Sequence, residues 1–227
     1  MKYKTDLHCH TSEASGCASE CGADTVKKYI DCGYTSLVIT NHFSPNHKGE
    51  RSYAEFVEGF FRAADIARNA ANGKINIITG AELKTNENSN EYLILGELTR
   101  DIMLGIPDIF DMSLPDLHKY FNSRGCLFIQ AHPMRNGIKM IEHGFVDGYE
   151  VVNSHPEWES RNAVARALAD FYNSDGHVIM TAGTDHHDPH HVPKAGILTD
   201  APIESGTELV RILKSKKHTV FNDSEIR

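Results

Sequence analysis

Short apolar or β-branched runs alternate along the chain with longer amphipathic stretches. The short runs predict strands at Tyr3–Leu7, Ser36–Thr40, Ile75–Thr79, Tyr92–Leu95, Cys126–Gln130, Tyr149–Val152 and Val178–Thr181. The stretches between them predict helices at Ala23–Cys32, Tyr53–Asn72, Leu114–Asn122, Glu159–Asn173 and Ser205–Ser215. Strand–helix alternation over the whole length is typical of an α/β fold with a mostly parallel sheet, either closed or doubly wound.

Local signals mark the ends of the first two predicted helices. Gly33 follows the first helix at the position where a left-handed C-cap is common. Ser52 followed by Glu55 predicts a capping box at the start of the second helix, and Gly73 ends it. No internal repeat, low-complexity segment or linker divides the chain, so one domain over residues 1–227 is expected.

Composition narrows the classes of partner. The 227 residues are 40% hydrophobic, which is enough for one sizeable core, and the net charge is -8. Because the basic residues are scattered, a small substrate is favoured over a nucleic acid. No apolar run approaches the roughly 18 to 20 residues of a membrane span, and the N-terminus does not resemble a signal peptide. Five cysteines without framework spacing fit a reducing compartment, so a cytoplasmic location is expected.

Metal-ligating residue types follow five of the predicted strands. The five segments are Asp6–His10, Thr40–His42, Gly80–Glu82, Gln130–Pro133 and Gly183–His187. Reactive groups converge at the carboxyl ends of the strands in (β/α) barrels, so these side chains are expected to meet in one cup. A single histidine at a strand end is more often solvated or packed in the core than a ligand. Five such strand ends together indicate a shared site.

The spacing within these segments suits metal ions. His8 and His10 are two residues apart, which places both imidazoles on one side of an extended strand, and Asp185 and His187 repeat this spacing. Glu82 offers two oxygens that could bridge two ions. Imidazole with carboxylate is a ligand set for zinc, manganese or iron. Since a bound ion lowers the pKa of its water from about 15.7 towards roughly 7, a hydroxide nucleophile requires no serine or cysteine.

These segments resemble, in the same order, the successive motifs of the PHP (polymerase and histidinol phosphatase) family. The matching motifs are His-x-His, Thr-Asn-His-Phe, Gly-Ala-Glu, Gln-Ala-His-Pro and Gly-Thr-Asp-x-His, from Asp6 to about Gly196. Glu150–Asn153 and Ser160–Asn162 are similar to segments of small bacterial members. The resemblance implies a distorted (β/α)7 barrel with two or three metals at the C-terminal rim. It also implies hydrolysis of phosphate monoesters or diesters, in some members by a nuclease domain.

Carried over motif by motif, the resemblance implies three neighbouring metal sites. The ligands of the first site would be His8, His10, Glu82 and Asp185. Glu82 would bridge to a second metal, which His132 also binds. His42 and His187 would hold a third.

Two positions depart from the family pattern. Many members supply a further ligand of the third site five or six residues after the second histidine of the first motif, where this chain has Ser15 and Gly16. Glu13 lies in the same loop and is the natural substitute, although a surface carboxylate is an equally good interpretation. Some trinuclear members place another histidine before Ala-His-Pro. His118 is the only histidine in that interval and is interpreted as a helix surface residue, so the second site is the least defined.

A guanidinium matches the oxygens of a phosphoryl group. Arg135 follows the Ala-His-Pro-Met segment and is the first candidate for this contact; the alternative is a surface ion pair with Glu142. Arg161 and His155 are further candidates for substrate binding, and Lys194 is a weaker one.

The leaving group needs a proton, and the sequence leaves its source open. His187, a metal-bound water, His155 and His190 are all candidates for the general acid. Cys17 and Cys21 are spaced C-x3-C, but no second pair completes a zinc site, so both are interpreted as plain thiols.

The favoured function is hydrolysis of a small phosphate ester, a monoester rather than a diester, by attack of metal-bound hydroxide. One alternative is an amidohydrolase, a class that also places His-x-His after its first strand but often bridges its metals with a carbamylated lysine. Here the corresponding strand offers Glu82, and Lys84 lies two residues further on. A second alternative is a metal-binding module without catalysis.

Overall fold

The computed structural model describes residues 2–223 as a mixed α/β fold. The strands are β1 Tyr3–Asp6, β2 Tyr34–Ile39, β3 His42–Phe43, β4 Asn76–Thr79, β5 Ala81–Lys84, β6 Glu91–Leu95, β7 Leu127–Gln130, β8 Gly148–Asn153, β9 Ile179–Gly183, β10 Ala195–Thr199 and β11 Thr219–Asn222. The α-helices are α1 Gly22–Asp31, α2 Pro45–Lys48, α3 Tyr53–Ala71, α4 Arg100–Leu104, α5 Leu114–Asn122, α6 Asn162–Tyr172 and α7 Gly206–Lys214. Within residues 2–223, no helix combines the length and the apolar character that a bilayer crossing requires.

The strands form two mixed sheets rather than the mostly parallel sheet that the alternation predicts. One sheet has the order β11-β10-β1-β2-β4, and the other has the order β3-β5-β6-β7-β8-β9. β6 runs antiparallel to β5 and β7, and β10 runs antiparallel to β1 and β11. Loop 85–90 is too short for the crossover of about a dozen or more residues that a parallel pair needs, so β6 returns in the opposite direction.

The predicted elements are confirmed, with a few additions. All seven strands and all five helices lie close to their predicted positions. The capping box is present, with Ser52 Oγ accepting from the Glu55 N–H at 3.3 Å, and Gly33 has φ 77° after α1. The sequence pattern missed β3, β5, β10, β11, α2 and α4, since elements of two to five residues are too short to show a period.

An aromatic cluster holds β3 against α3. The rings of Phe43 and Phe56 lie 4.4 Å apart between centroids, and the ring of Phe60 lies 5.2 Å from that of Phe43. All three side chains are buried, and α3 turns its apolar face towards them. Because His42 immediately precedes Phe43, this packing fixes the position of the histidine that begins β3.

The segments that follow the strands run side by side. The Asp185 N–H donates to the His8 carbonyl at 2.9 Å, and the His10 N–H donates to the His186 carbonyl at 2.9 Å. The approach of β9 to β1 is close: a Cβ on Gly183 would lie 2.3 Å from the Cβ of His8, so only glycine fits there. The first and last motifs therefore meet in space.

Candidate metal centre

The Glu82 carboxylate lies at the middle of a buried group of imidazoles. Its Oε1 atom is 2.9 Å from His132 Nε2 and 3.3 Å from His8 Nε2. Its Oε2 atom is 2.8 Å from His42 Nδ1 and 3.3 Å from His10 Nε2. One carboxylate thus contacts four imidazoles from three of the other predicted motifs.

Asp185 closes the centre on the side of the first motif. Its Oδ1 atom lies 3.3 Å from both His8 Nε2 and His10 Nε2, and these two nitrogens are 3.0 Å apart. Both imidazoles leave the same side of the strand, as their spacing predicts. The nitrogen and oxygen atoms of these side chains lie close enough together that groups of them could hold a metal ion.

The buried charges compensate one another. Although burial raises the pKa of both carboxyl groups, the neighbouring histidines hold the pKa of Glu82 and of Asp185 well below the usual range. Burial lowers the pKa of His8, but Asp185, Glu150 and Glu82 outweigh it and raise that pKa well above its ordinary value. Burial, with His187 and His42, lowers the pKa of His10 to about 4. The carboxylates around His8 therefore provide the negative charge that suits a cation.

Glu150 orients two of the central residues from behind. Its Oε1 atom lies 2.9 Å from His8 Nδ1, and its Oε2 atom accepts from the His132 N–H at 2.9 Å and from Asn153 Nδ2 at 3.1 Å. A hydrogen bond on Nδ1 fixes the ring so that Nε2 faces the centre. The sequence analysis gave Glu150 no role of its own.

Replacing Glu150 by glutamine should weaken metal binding by roughly 10- to 100-fold, the range for lost outer-sphere partners. The substitution keeps the volume of the side chain but removes the charge that orients His8. Titration of the apoprotein with zinc, in competition with a chromophoric chelator, measures the change. Glu142→Gln, at an exposed position, is the matched control. Equal affinities of the two variants would contradict the orienting role.

Ser15 stands where the family supplies a ligand, and it acts through His10 instead. Its Oγ atom lies 3.1 Å from His10 Nδ1, donates to Asn41 Oδ1 at 2.9 Å and accepts from the His42 N–H at 3.0 Å. The hydroxyl therefore sets the orientation of His10 and ties β3 to the first motif.

His187 and His42 lie together beside His10, as expected of a third site. The ligating nitrogens of the three histidines lie within 4.8 Å of one another. The Asp185 carbonyl lies 2.9 Å from His187 Nδ1, which leaves Nε2 of that ring available.

Glu13 does not join this group. Its two carboxylate oxygens accept from the Gly22 N–H at 3.0 and 3.1 Å, at the start of α1. The unpaired N–H groups and positive dipole at a helix N-terminus attract a nearby carboxylate. The expectation that Glu13 replaces the missing ligand is therefore wrong.

Cys17 is not the isolated thiol that the sequence suggested. Its Sγ atom and ring nitrogens of His42 and His47 all lie within 4.8 Å of one another. Burial raises the pKa of Cys17, but hydrogen bonds to His187, His42 and His47 outweigh it and bring that pKa to about 3. Cys21 differs, because its Sγ contacts Asp24 Oδ2 at 3.2 Å. The sequence did contain a clue to Cys17, because cysteine is a metal-ligating residue type and this one lies in the loop where the family ligand is missing.

Glu91 also contacts the centre and was not predicted from the sequence. Its Oε2 atom lies 3.5 Å from His132 Nε2, the nitrogen that also contacts Glu82. Glu91 is the first residue of β6, and because β6 is antiparallel its start lies beside the end of β5. His118 pairs with Asp147 at 3.2 Å and takes no part in this cluster of contacts.

Arg135 reaches the centre and forms its ion pair with Asp185 rather than with Glu142. Its Nη2 atom donates to Asp185 Oδ2 at 2.7 Å and to Asn153 Oδ1 at 2.9 Å. Arg161 does not line the cavity at the centre. It donates to the Met134 carbonyl at 2.7 Å and to Asn136 Oδ1 at 2.5 Å, so it supports the loop that carries Arg135.

A cavity of about 650 Å³ opens onto the centre. Its lining includes Glu82, Arg135, Asp185 and His187. His155 lies on its wall, with its ring 5.2 Å from that of His187 between centroids. The cavity is large enough for a small substrate to reach the carboxylates and the guanidinium together.

Comparisons with known proteins agree on the fold. The profile of the PHP domain family matches residues 6–199, whereas no curated protein matches the chain. A two-domain protein from Bacteroides vulgatus, described as containing a predicted PHP-like metal-dependent phosphoesterase, has 16% identity and a TM-score of 0.69 over 98% of this chain and 65% of its own. An amidohydrolase from Chromobacterium violaceum has 14% identity and a TM-score of 0.56, covering 98% and 99%.

A third similar structure is the lesion-specific endonuclease PfuEndoQ from Pyrococcus furiosus. It has 11% identity and a TM-score of 0.65, covering 97% of this chain and 58% of its own. The chain thus spans less than two thirds of the length of the Bacteroides and Pyrococcus proteins. At these identities the likeness concerns the fold.

Proposed function

Because the chain belongs to the PHP domain family, we propose that it is a metal-dependent hydrolase of small phosphate esters, with monoesters preferred to diesters. One observation carries the proposal: the Glu82 and Asp185 carboxylates share a buried imidazole group, and Arg135 stands beside them on the wall of an open cavity. Anionic ligands and a guanidinium on one cavity suit a cation together with a phosphate.

The donor set fits two or three divalent ions, and zinc, manganese and iron match its imidazole and carboxylate atoms. We assign His8, His10, Glu82 and Asp185 to the first ion. Glu82, His132 and Glu91 form the candidate second site, and a third begins at His42, beside His187. When bound, such ions activate water and stabilise charge on phosphoryl oxygens.

Arg135 is proposed to bind the phosphoryl group. Asp185 and Asn153 hold one end of its guanidinium, and its buried Nε has no hydrogen-bond partner among residues 2–223. Arg135 lines the cavity, so its guanidinium can face an anionic oxygen there. A guanidinium fixed in this way stabilises charge without reorganising during the reaction.

His187 is the candidate proton donor to the leaving oxygen. Burial lowers its pKa, but Cys17 and Asp185 outweigh that effect and raise it. Burial lowers the pKa of His155 to about 4, so near pH 7 that imidazole is neutral. Its Nδ1 atom accepts from the Glu157 N–H at 3.2 Å, which leaves Nε2–H to donate to the substrate. Arg161 acts only indirectly, through the loop that carries Arg135.

The two sheets are proposed to wrap into the distorted barrel of seven βα units expected of the family. Hydrogen bonds that link the end of β1 to the segment after β9 support this arrangement, as does the bridge between Cys9 and His186. The Gly80 N–H donates to the Ile39 carbonyl at 2.9 Å, which continues the pairing of β2 with β4 towards β3 and β5. The centre would then occupy the C-terminal rim.

Amide hydrolysis is the competing function, and Lys84 is the observation that favours it. Lys84 lines the cavity, and its Nζ lies 3.4 Å from Glu91 Oε1. The bridging position among the histidines is nevertheless occupied by Glu82. A carboxylate already placed to bridge makes a carbamylated lysine unnecessary.

The test is a substrate panel on apoprotein that is reloaded with zinc or with manganese. We expect p-nitrophenyl phosphate to be hydrolysed faster than bis(p-nitrophenyl) phosphate, and simple amides not at all. A chelator should remove the activity, and added metal should restore it. Faster hydrolysis of amides would favour the competing function. Full metal occupancy without turnover of any ester would indicate a metal-binding module.

A further inference from the structure

Two donors from outside the five family motifs stand at the edge of the centre. Cys17 lies in loop 7–21 between β1 and α1, and His47 lies on the short helix α2. The Cys17 sulfur and ring nitrogens of His42 and His47 lie within 4.8 Å of one another, and Cys17 and His42 both line the cavity. A sulfur and two imidazoles at such distances form a possible cation site.

The two histidines are held with one nitrogen each engaged elsewhere. Ser44 Oγ lies 2.8 Å from His47 Nδ1 and also accepts from the His47 N–H at 3.3 Å. Glu82 Oε2 lies 2.8 Å from His42 Nδ1. The two rings stack with centroids 4.7 Å apart. The Nε2 atom of each ring therefore remains available to bind a cation.

The loop that carries Cys17 is tied to the centre on both sides of the cysteine. The Ala18 N–H donates to the Ser15 carbonyl at 2.9 Å, and the Ser19 N–H donates to the His187 carbonyl at 3.0 Å. Ser15 itself contacts His10. These bonds fix the backbone around Cys17 relative to the histidines, so the position of the thiol follows from the fold of the loop.

We propose that Cys17 and His47 complete, with His42, the third cation site of this protein. The inference rests on the proposed metal centre and replaces the role expected of Glu13. The sulfur binds the cation as a thiolate, and the protons shared between it and the neighbouring imidazoles pass to solvent. One thiolate with two imidazoles favours zinc and disfavours manganese or magnesium, which prefer oxygen ligands. The site of Cys17, His42 and His47 should therefore select zinc, even where the sites that contain Glu82 and Asp185 accept manganese.

The proposed site of Cys17, His42 and His47 also affects which role His187 can take. The Asp185 carbonyl occupies the Nδ1 side of that ring, and Nε2 cannot bind a cation and carry a proton at the same time. A third site built from Cys17, His42 and His47 does not need His187 as a ligand. The Cys17 sulfur, which hydrogen-bonds to His187 in this structure, would bind the cation, and the proton of His187 would then be available to the leaving oxygen. The assignment of the ligands and that of the proton donor are then compatible.

The experiment uses the full chain reconstituted with cobalt(II), whose thiolate charge-transfer absorption lies in the near ultraviolet. We expect that absorption in the wild-type protein and its loss in Cys17→Ser, together with a fall of about one metal equivalent per chain. His47→Ala should weaken binding of the same equivalent. Cys21→Ser, in the same loop, is the matched control and should keep both signals. Zinc should also protect Cys17 of the wild-type protein from iodoacetamide, as mapped by peptide mass.

The outcomes separate this inference from the proposed function. A protein that binds cobalt at its other sites without the thiolate absorption would overturn the role of Cys17 and leave the phosphoesterase proposal standing. A protein that binds no divalent ion would overturn both. Absorption that persists in Cys17→Ser, or equal alkylation of Cys17 with and without zinc, would also refute the proposal. The alkylation test uses only the wild-type chain and so does not depend on folding of a variant.

Discussion

Asp185→Asn is expected to remove nearly all phosphoesterase activity, with a loss in kcat/KM beyond roughly 10³-fold. That loss exceeds the effect of deleting a single electrostatic contact in other enzymes. The Oδ1 atom of Asp185 faces the Nε2 atoms of His8 and His10 at 3.3 Å, while Oδ2 accepts from Arg135 at 2.7 Å. Asparagine has one acceptor oxygen for these two directions, and its amide group would face either a cation or the guanidinium.

The measurement combines kcat/KM for p-nitrophenyl phosphate with the metal content of the purified variant. Asp170→Asn, on the exposed face of α6, is the matched control and should keep wild-type values. His8→Ala should lose turnover as Asp185→Asn does, since both remove a ligand of the same proposed ion. Wild-type rates in both Asp185→Asn and His8→Ala would show that the reaction takes place elsewhere.

Sequence motifs were sufficient to place most of the candidate site. Side chains predicted from strand ends, including Glu82, His132 and Asp185, meet within hydrogen-bond distance although they are far apart in the chain. The reason is local: each comes shortly after a strand predicted from the sequence, and in this kind of fold the segments that follow the strands gather at one edge. A strand is identified by its own residues, so the position at its end can be predicted from the sequence.

Physical reasons also explain why the sequence motifs did not identify Glu91, Cys17 and His47. Glu91 begins its strand, and the rule that ligands follow strands fails for β6 because it is antiparallel. Cys17 and His47 depend on how a loop and a four-residue helix fold back onto β3, for which no periodic pattern exists. Glu13 lies in the expected loop, but its carboxylate binds at the start of α1. Which way a loop side chain turns is decided by tertiary contacts.

Two residues of the centre adopt a backbone conformation that is unusual outside glycine. His132 has φ 27° and Asp185 has φ 56°. Such positions cost on the order of 1–3 kcal/mol each, and they persist where surrounding contacts determine them. Here Glu150 holds the His132 N–H at 2.9 Å, and the His8 carbonyl holds the Asp185 N–H at 2.9 Å. The strain is consistent with His132 and Asp185 being held in position for metal binding, although this lowers the free energy of unfolding.

Glu82→Gln should abolish turnover and remove the stabilisation that comes from metal at the first and second sites. In the wild-type protein, a divalent ion at about 1,000 times its Kd should add roughly 4 kcal/mol to the free energy of unfolding, since ligands that bind only the folded state stabilise it by mass action. Glu82 contacts four imidazoles, and a neutral amide can neither bridge two cations nor balance their charge.

Denaturant unfolding with and without zinc measures the effect, alongside kcat/KM. The matched control is Glu58→Gln, a half-exposed position on α3 whose ion pair with Arg100 lies at the surface, where such pairs contribute little. Glu58→Gln should keep the full zinc-dependent gain, whereas Glu82→Gln should keep only the part that comes from the proposed site of Cys17, His42 and His47. A zinc-dependent gain of wild-type size in Glu82→Gln would mean that the cations bind without this carboxylate. The bridging role of Glu82 at the centre would then be wrong.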